Sequence, residues 1–548
     1  MSDVEALIHA EVGRYQRAAE EFWRGSAQRA VTVICRALDM YAVGARWGLV
    51  NTTRARYGLL GAVNALSPFL GRAAETAGPI PWGPSQASEI AVANGYLEAC
   101  GKLSHLGRLA ALERFGLAEV SISTAERISI RTRNGSVELA LRVAERELGK
   151  DTGAEIPGGE KPERRSRRIA RLLTQYVDSA GGWFIRYDND MKLVKEYRRD
   201  AQFYGSKYME REAFPDDVTL GDRTFGQWCD TCDQALGRIL CHVDFAAALV
   251  RKRPNIELHN VLTIYARKED VDAVWQEAGM PASMVQATMG ALTLGSQQLE
   301  EWRKAYEVPT HYYVGLGKDF VLMPCFGALS NPYYSLFRHL RNECRPDWDR
   351  SVDRREEVFR AELAAYLPAS RFLVQERGYK LRRSDGLVAT DIDAVAVDRT
   401  SGRVALFQLK WHDIYGRSLS ERESRKRNMA MATTWVDTVA RSLEGLSSGE
   451  VCRRLGIDCA AGSLPPVLIV LARYMARFSG DGEPDPRASW LAWPEFRQAF
   501  SAANPDDPLA SVGKEVDDYR SSFTDPTERP LRETFIFKNL TIDLEVVM

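Results

Sequence analysis

The segment Thr390–Trp411 (TDIDAVAVDRTSGRVALFQLKW) constrains this chain most, because it reads as an amphipathic β-hairpin that gathers Asp391, Asp393, Gln408 and Lys410 at one end of an otherwise apolar face. If it folds back on itself around Arg399–Gly402, an ordinary four-residue connection ending in glycine, partner positions sum to a constant. Val397 then faces Val404, Val395 faces Leu406, Asp393 faces Gln408 and Asp391 faces Lys410. Strand side chains alternate with period two, so all eight share one face. The valines and leucine show that this face is packed. An acid, an amide and an amine at its far end are costly there unless they have partners. A bland reading makes Asp391–Lys410 a cross-strand ion pair worth about 0.2–1 kcal/mol, with Asp393 and Gln408 hydrogen-bonded beside it. The sharper reading makes the cluster a site.

An Asp on one strand, then an oxygen-bearing residue and a Lys two positions later on the next, resembles the PD-(D/E)xK arrangement of restriction-endonuclease-like nucleases. The match is closest to the Mrr-like branch, through Asp393 in "DIDAVAV" and Gln408-Leu409-Lys410 on the returning strand. The resemblance implies a mixed central sheet with flanking helices and a metal-dependent phosphodiesterase site. Asp393 and Gln408 would hold Mg²⁺ or Mn²⁺, and Lys410 would serve the attacking water or the developing charge. The usual carboxylate of the last triplet is Gln408 here, a variant also found in Mrr-like members. Its carbonyl can ligate a hard cation but adds no charge.

The flanking segments fit the same scheme. Arg355–Leu367 places Phe359, Leu363, Tyr366 and Leu367 on one helical stripe. Glu356 stands one turn before Phe359 and is the acid that, by the resemblance, reaches the metal directly or through water. Glu357 is the alternate, turned roughly 100° away, and a first-turn Glu also suits the helix dipole alone. Arg371–Gly386 suggests a first strand (RFLVQ), a turn at Gly378 and a basic loop (YKLRRSDG). Downstream, Glu421–Leu446 reads as a long helix with Met429, Ala432, Trp435, Val436, Val439 and Leu443 inward and Arg422, Arg425, Lys426 and Arg427 on its first half. Val467–Ala472 (VLIVLA) reads as a buried strand, and Pro494 as a helix start, where a missing N–H costs little. This alternation argues for an α/β layer architecture independently of any family.

The resemblance covers roughly Asp353 to Ser501 of 548 residues. The expected organisation is multidomain: a mainly helical N-terminal domain (1–149), a mixed α+β middle region (163–345) and the nuclease-like α/β domain (346–548). "RISIRTRNGSVELALRV" suggests a hairpin turning at Asn134-Gly135. The polar stretches Lys150–Pro162 and Pro346–Arg354 suggest linkers. Helices are expected around Phe225–Val250 and Asp270–Tyr306, with strands at "LTIYAR", "THYYVGL" and "FVLMPCFG".

Charge is balanced, Lys+Arg 73 against Asp+Glu 74, so nucleic-acid binding has to rely on local patches. One candidate is Arg164, Arg165, Arg167, Arg168 and Arg171 on a predicted helix, which either meet phosphates or form a solvated face. Cys229, Cys232, Cys241 and His242 lack zinc-ligand spacing and read as core side chains on a helix. "GYLEACGKLS" has one residue too many between its glycines for a phosphate loop and Leu103 where Ser or Thr is needed. His412 follows Lys410 by two and either touches substrate or ends an exposed strand. Nine cysteines without regular spacing argue against a disulfide framework. No apolar run reaches about 18 residues, and no leader is evident, so a cytoplasmic protein is expected.

These readings add up to an expected metal-dependent endonuclease acting on DNA through Asp393, Gln408, Lys410 and Glu356, with Asp393, Gln408 and Glu356 as the metal set. A defence or restriction effector would have this form, with upstream residues sensing nucleic acid or a protein partner. Cutting both strands would call for two sites, hence a homodimer. The competing expectation is a nuclease-fold module without catalysis that binds nucleic acid or protein.

Overall fold

The computed structural model describes residues 3–77, 80, 82–124, 126–133, 135–151, 162–188, 190–277, 280–383, 385–412, 419–458, 462–479, 483–523 and 530–546. The N-terminal part is built from helices α1 (Asp3–Phe22), α2 (Ala27–Arg46), α3 (Thr52–Leu60) and α4 (Ala87–Ala111). Helix α2 is buried on almost every side, as its dense Ala, Val and Ile content requires. Helices α3 and α4 meet backbone to backbone, since a Cβ on Gly101 would lie 1.7 Å from the Tyr57 carbonyl oxygen. The glycine of the rejected phosphate-loop motif thus serves close helix packing.

Strands β1 (Ala118–Thr124) and β2 (Arg127–Thr132) pair antiparallel. The chain then enters helix α5 (Ser136–Asp151) instead of returning as a strand. The hairpin expected at Asn134-Gly135 is therefore absent, and Asn134 itself lies outside the described residues. The expected linker Lys150–Pro162 also lies mostly outside them.

The middle region carries α6 (Pro162–Tyr176), α7 (Met191–Gly205) and α8 (Phe225–Lys252). As expected, Cys229, Cys232, Cys241 and His242 are core side chains on α8. Strands β3 (Ile264–Arg267), β4 (Thr293–Leu294), β5 (Tyr313–Gly315) and β6 (Phe320–Met323) form a sheet of order β3-β6-β5-β4. Three of these strands fall on the segments expected from sequence.

Helix α9 (Arg345–Tyr366) is continuous through Pro346–Arg354. Pro346 occupies its first turn, where no N–H is needed, so this stretch is not a flexible linker. Trp348 is 4% exposed and packs edge-on to Phe214 of the middle region. Phe359, Leu363 and Leu367 at the other end of α9 enter the core of the next sheet.

That sheet is mixed and lies between helices, the α/β layering that the alternation of elements predicts. Strands β7 (Phe372–Val374), β10 (Ala394–Asp398), β11 (Val404–Lys410), β12 (Val467–Ala472) and β13 (Ala488–Ala492) lie in the order β7-β10-β11-β12-β13. The first two pairings are antiparallel and the last two parallel. Strands β8 (Tyr379–Arg382) and β9 (Val388–Ile392), which lie between β7 and β10 in the chain, form a separate ribbon. One face of the main sheet is covered by α9, α12 (Trp493–Phe500) and α13 (Pro508–Ser521). The other is covered by α10 (Leu419–Ser442) and α11 (Ser448–Leu455). Met429, Ala432, Trp435, Val436, Val439 and Leu443 all face inward.

The chain closes with the hairpin β14 (Leu531–Ile536) and β15 (Thr541–Val546). It joins the N-terminal strands in a sheet of order β1-β2-β15-β14, with β2 and β15 parallel. The expected division at 346 therefore does not mark a break in the hydrogen bonding. Helix α5 reinforces the link, since Glu138 pairs with Arg422 at 2.7 Å and accepts a hydrogen bond from the Ser479 hydroxyl at 2.5 Å. Among the described residues, no helix is long and apolar enough to cross a membrane.

Candidate active site

Alternation along β10 and β11 builds the site. Val397 faces Val404 and Val395 faces Leu406, the register read from the sequence. Gly402 closes the turn with φ 72°, a conformation that glycine adopts without steric cost. At the same turn Asp398 is fully buried, takes both ends of the Arg371 guanidinium at 2.9 and 2.7 Å and accepts from Thr400 N–H and the Ser401 hydroxyl. Burial alone would raise its pKa; these donors outweigh burial and lower it.

At the other end of the hairpin, Asp393 and Gln408 come together. The Gln408 amide donates to Asp393 Oδ2, which also accepts the Leu409 N–H at 2.8 Å. Both side chains are nearly inaccessible, 7% and 8% exposed. Burial raises the Asp393 pKa, opposed by the Lys410 ammonium, the Leu409 N–H, Gln408 and Arg360. Lys410 is half-buried on the last position of β11.

The pairing does not extend to Asp391. After Asp393, whose N–H still donates to Phe407 O at 3.0 Å, the ribbon strand β9 departs from the main sheet. Asp391 then stands opposite Lys380 on β8 instead of Lys410. The YKLRR segment, expected as a basic loop, captures this strand as its partner. Asp391 is exposed, and its carbonyl accepts from the Trp435 indole at 2.7 Å.

Helix α9 covers the opposite face of the sheet, so a side chain from it meets Asp393 around the sheet's end. The residue that makes this reach is Arg360, whose Nε donates to the Asp393 carbonyl oxygen at 2.5 Å. Glu356 lies one helical turn earlier on α9 and is half-buried, while Glu357 is exposed. The structure therefore joins Asp393, Gln408 and Lys410 and holds Glu356 one turn from Arg360. Sequence reasoning missed Arg360, although its i+4 spacing from Glu356 puts it on the same side of the helix.

A second set of contacts fixes the end of β11. Arg473 N–H donates to Lys410 O at 2.7 Å. Its guanidinium pairs with Glu212 of the middle region at 2.8 Å and with Glu362 of α9, and lies 4.9 Å from the Trp411 ring centroid. His412 places Nε2 3.3 Å from Met429 Sδ and is half-buried. Of the arginines on α6, Arg165 and Arg168 are engaged by Glu196, and Arg165 also by Asp200. Arg164, Arg167 and Arg171 are exposed.

Among the described residues, no group of three or more His, Cys, Asp and Glu side chains is placed to hold a metal ion. The donors present are one carboxylate and one amide oxygen, with Glu356 on α9 one turn from Arg360. That set suits Mg²⁺ or Mn²⁺, which dehydrate reluctantly and are commonly held by one or two carboxylates plus substrate phosphates. It does not suit a closed, all-protein cage. Comparison with models of known families, with curated proteins and with solved structures finds no match for this chain.

Proposed function

We propose that the chain is a metal-dependent nuclease that hydrolyses phosphodiester bonds, in DNA, at the end of β10 and β11. The observation that carries this reading is the buried Asp393–Gln408 pair with Lys410 two residues further along the same strand. The order α9, β7, β10–β11, α10, β12, α12 supports it, as the order expected of a restriction-endonuclease-like domain. Asp393 and Gln408 would hold Mg²⁺ or Mn²⁺, with Glu356 nearby. When bound, the ion supplies Lewis-acid polarisation of the phosphate and a more acidic water. Lys410 would orient the attacking water and balance the charge growing on the phosphate. Water is partly excluded by burial, which strengthens each of these interactions. The upstream residues, coupled to β11 through Glu212 and Arg473, suit a cytoplasmic defence or restriction effector whose trigger is read outside the site.

A second reading is a binding module without catalysis. It is favoured by one observation: Asp393 Oδ2 is already occupied by two protein donors. The test is nicking of supercoiled plasmid in Mg²⁺ or Mn²⁺ by the wild type and by Lys410→Ala. The nuclease reading expects cleavage that falls at least about 10²-fold in the variant, as for loss of a single electrostatic contact to the transition state. Plasmid that is bound but never cut would favour the binding module. Undiminished cleavage by Lys410→Ala would remove the site assignment.

A further inference from the structure

We infer that Arg360 is a phosphate-contacting residue of this site, gripping the nucleic-acid backbone beside Asp393 and Lys410; the inference rests on the nuclease reading. Three observations carry it. First, Arg360 is committed to the site by its backbone contact, with Nε donating to the Asp393 carbonyl at the point where the chain leaves the main sheet. Second, among the described residues it makes no ion pair, a feature it shares with Arg377, Arg399 and Arg497, while other arginines of this part of the chain are paired. Arg371 is paired with Asp398, Arg403 with Asp507, Arg422 with Glu138, Arg473 with Glu212 and Arg520 with Glu495. Its charge is felt by the Asp393 carboxyl, but among the described residues no carboxylate pairs with the guanidinium directly, so an anion brought from outside can engage it. Third, Gly378 lies beside the guanidinium. A Cβ there would lie 3.5 Å from Arg360 Nη2, an ordinary contact, and 3.0 Å from Ile392 O, so a larger residue would press on the chain leading into Asp393.

The chemistry selects the ligand. Nε is used by the protein, while Nη1 and Nη2 make no hydrogen bond among the described residues. Two terminal nitrogens in a rigid fork match two oxygens of a phosphodiester. The Arg360 charge also reaches the Asp393 carboxyl and lowers its pKa against burial, so the arginine and the acid share one small volume. A phosphate held there would sit next to the acid and within the field of Lys410. Arg360 would thereby set the register of the strand.

The experiment is equilibrium binding of a labelled DNA duplex to the full chain over a series of salt concentrations, without divalent metal, for wild type, Arg360→Gln and Arg360→Lys. Gln keeps an N–H for the Asp393 carbonyl and removes the charge. The expected result is a salt dependence of log K shallower by about 0.9 in Arg360→Gln, one phosphate contact. Arg360→Lys should keep the slope and lose affinity several-fold, because it cannot bind two oxygens at once. An Arg360→Gln chain that is folded by circular dichroism and binds with the wild-type slope overturns the inference. If Arg360→Gln does not fold, unchanged affinity in Arg360→Lys overturns it instead. Wild type that neither binds nor cuts DNA overturns the nuclease reading and this inference together. Wild type that binds, with an unaltered slope in the variant, overturns this inference alone.

Discussion

Gln408 donates its side-chain amide to Asp393 Oδ2 while Leu409 N–H donates to the same oxygen at 2.8 Å. Position 408 therefore acts on Asp393 in the folded chain before any cation arrives. Replacing the amide by a carboxylate in Gln408→Glu removes a donor and sets two acids side by side in a buried place, where one retains its proton. A divalent cation would release that proton and gain a charged ligand. The expected outcome is Mn²⁺ affinity increased on the order of tenfold, since ligand charge tunes hard-cation binding, accompanied by proton release. Calorimetric titration in two buffers of different ionisation enthalpy measures both. Equal affinities would mean that residue 408 does not face the metal.

Asp39, fully buried on α2, provides a pH-dependent test of the fold away from the site. Burial drives its pKa up to about 7, against the hydrogen bonds from Thr263, Phe326 and Cys325 and the charge of Arg36. A folded-state pKa above the unfolded value means that the folded chain holds the proton more tightly. Stability is then greatest below about pH 4 as far as this group is concerned, and is lost progressively as pH rises to about 7, at about 1.4 kcal/mol per unit of separation. Asp39→Asn keeps an acceptor for the Cys325 and Phe326 N–H groups at 2.7 and 2.9 Å and can donate to Thr263. Its denaturant stability is expected to be flatter than wild type across this window and higher above it. Identical pH profiles would show that Asp39 does not titrate there.

Much of the site was legible because local pattern decided it. Val395, Val397, Val404 and Leu406 flank a turn that ends in Gly402, and that turn sets the register between the two strands. The stripe Met429–Leu443 and the run Val467–Ala472 likewise require burial. What failed had non-local causes. Strand β2 takes its parallel partner from β15, at the far end of the chain, a choice that no local signal carries. Asn134-Gly135 resembled a turn, yet Ala140, Leu141 and Ala144 also satisfy helical spacing and are buried as α5. Asp391 was lost from the site because β8 competes for β9, and a strand pairs with whichever edge the fold supplies. Arg360 was missed because it resembled one more exposed arginine until Gly378 and the Asp393 carbonyl were seen beside it.

Gly378 offers a test of that arrangement. Its site is cramped by the Ile392 carbonyl, 3.0 Å from where a Cβ would lie, so Gly378→Ala forces the ribbon strands and the approach to Asp393 to shift by a few tenths of an ångström. The main sheet does not depend on this contact. Cleavage is therefore expected to fall about 10-fold or more, because small misplacements at reacting groups are costly, with thermal stability lowered by roughly 1–3 kcal/mol at most. Full activity at wild-type stability would show that the ribbon does not position Asp393.

The final prediction concerns the chain cut at Pro346, the boundary suggested by composition. A fragment 346–548 keeps the five-stranded sheet but strips β15 of β2, Trp348 of Phe214, and Arg473 of Glu212. Phe535, Ile542 and Leu544 pack with Ile128 and Ile130 in one core, and exposing each large apolar side chain costs about 1.5–3 kcal/mol. Three such losses amount to a large part of a typical domain stability of about 5–15 kcal/mol. A strand edge left unpaired is also a template for association. The fragment is accordingly expected to aggregate or unfold without a cooperative transition. A version ending at Phe523, without the terminal hairpin, should be more soluble. Thermal unfolding and sedimentation of the two fragments measure this. A soluble, monomeric and cooperatively folding 346–548 would show that the terminal hairpin and α9 do not need the upstream chain.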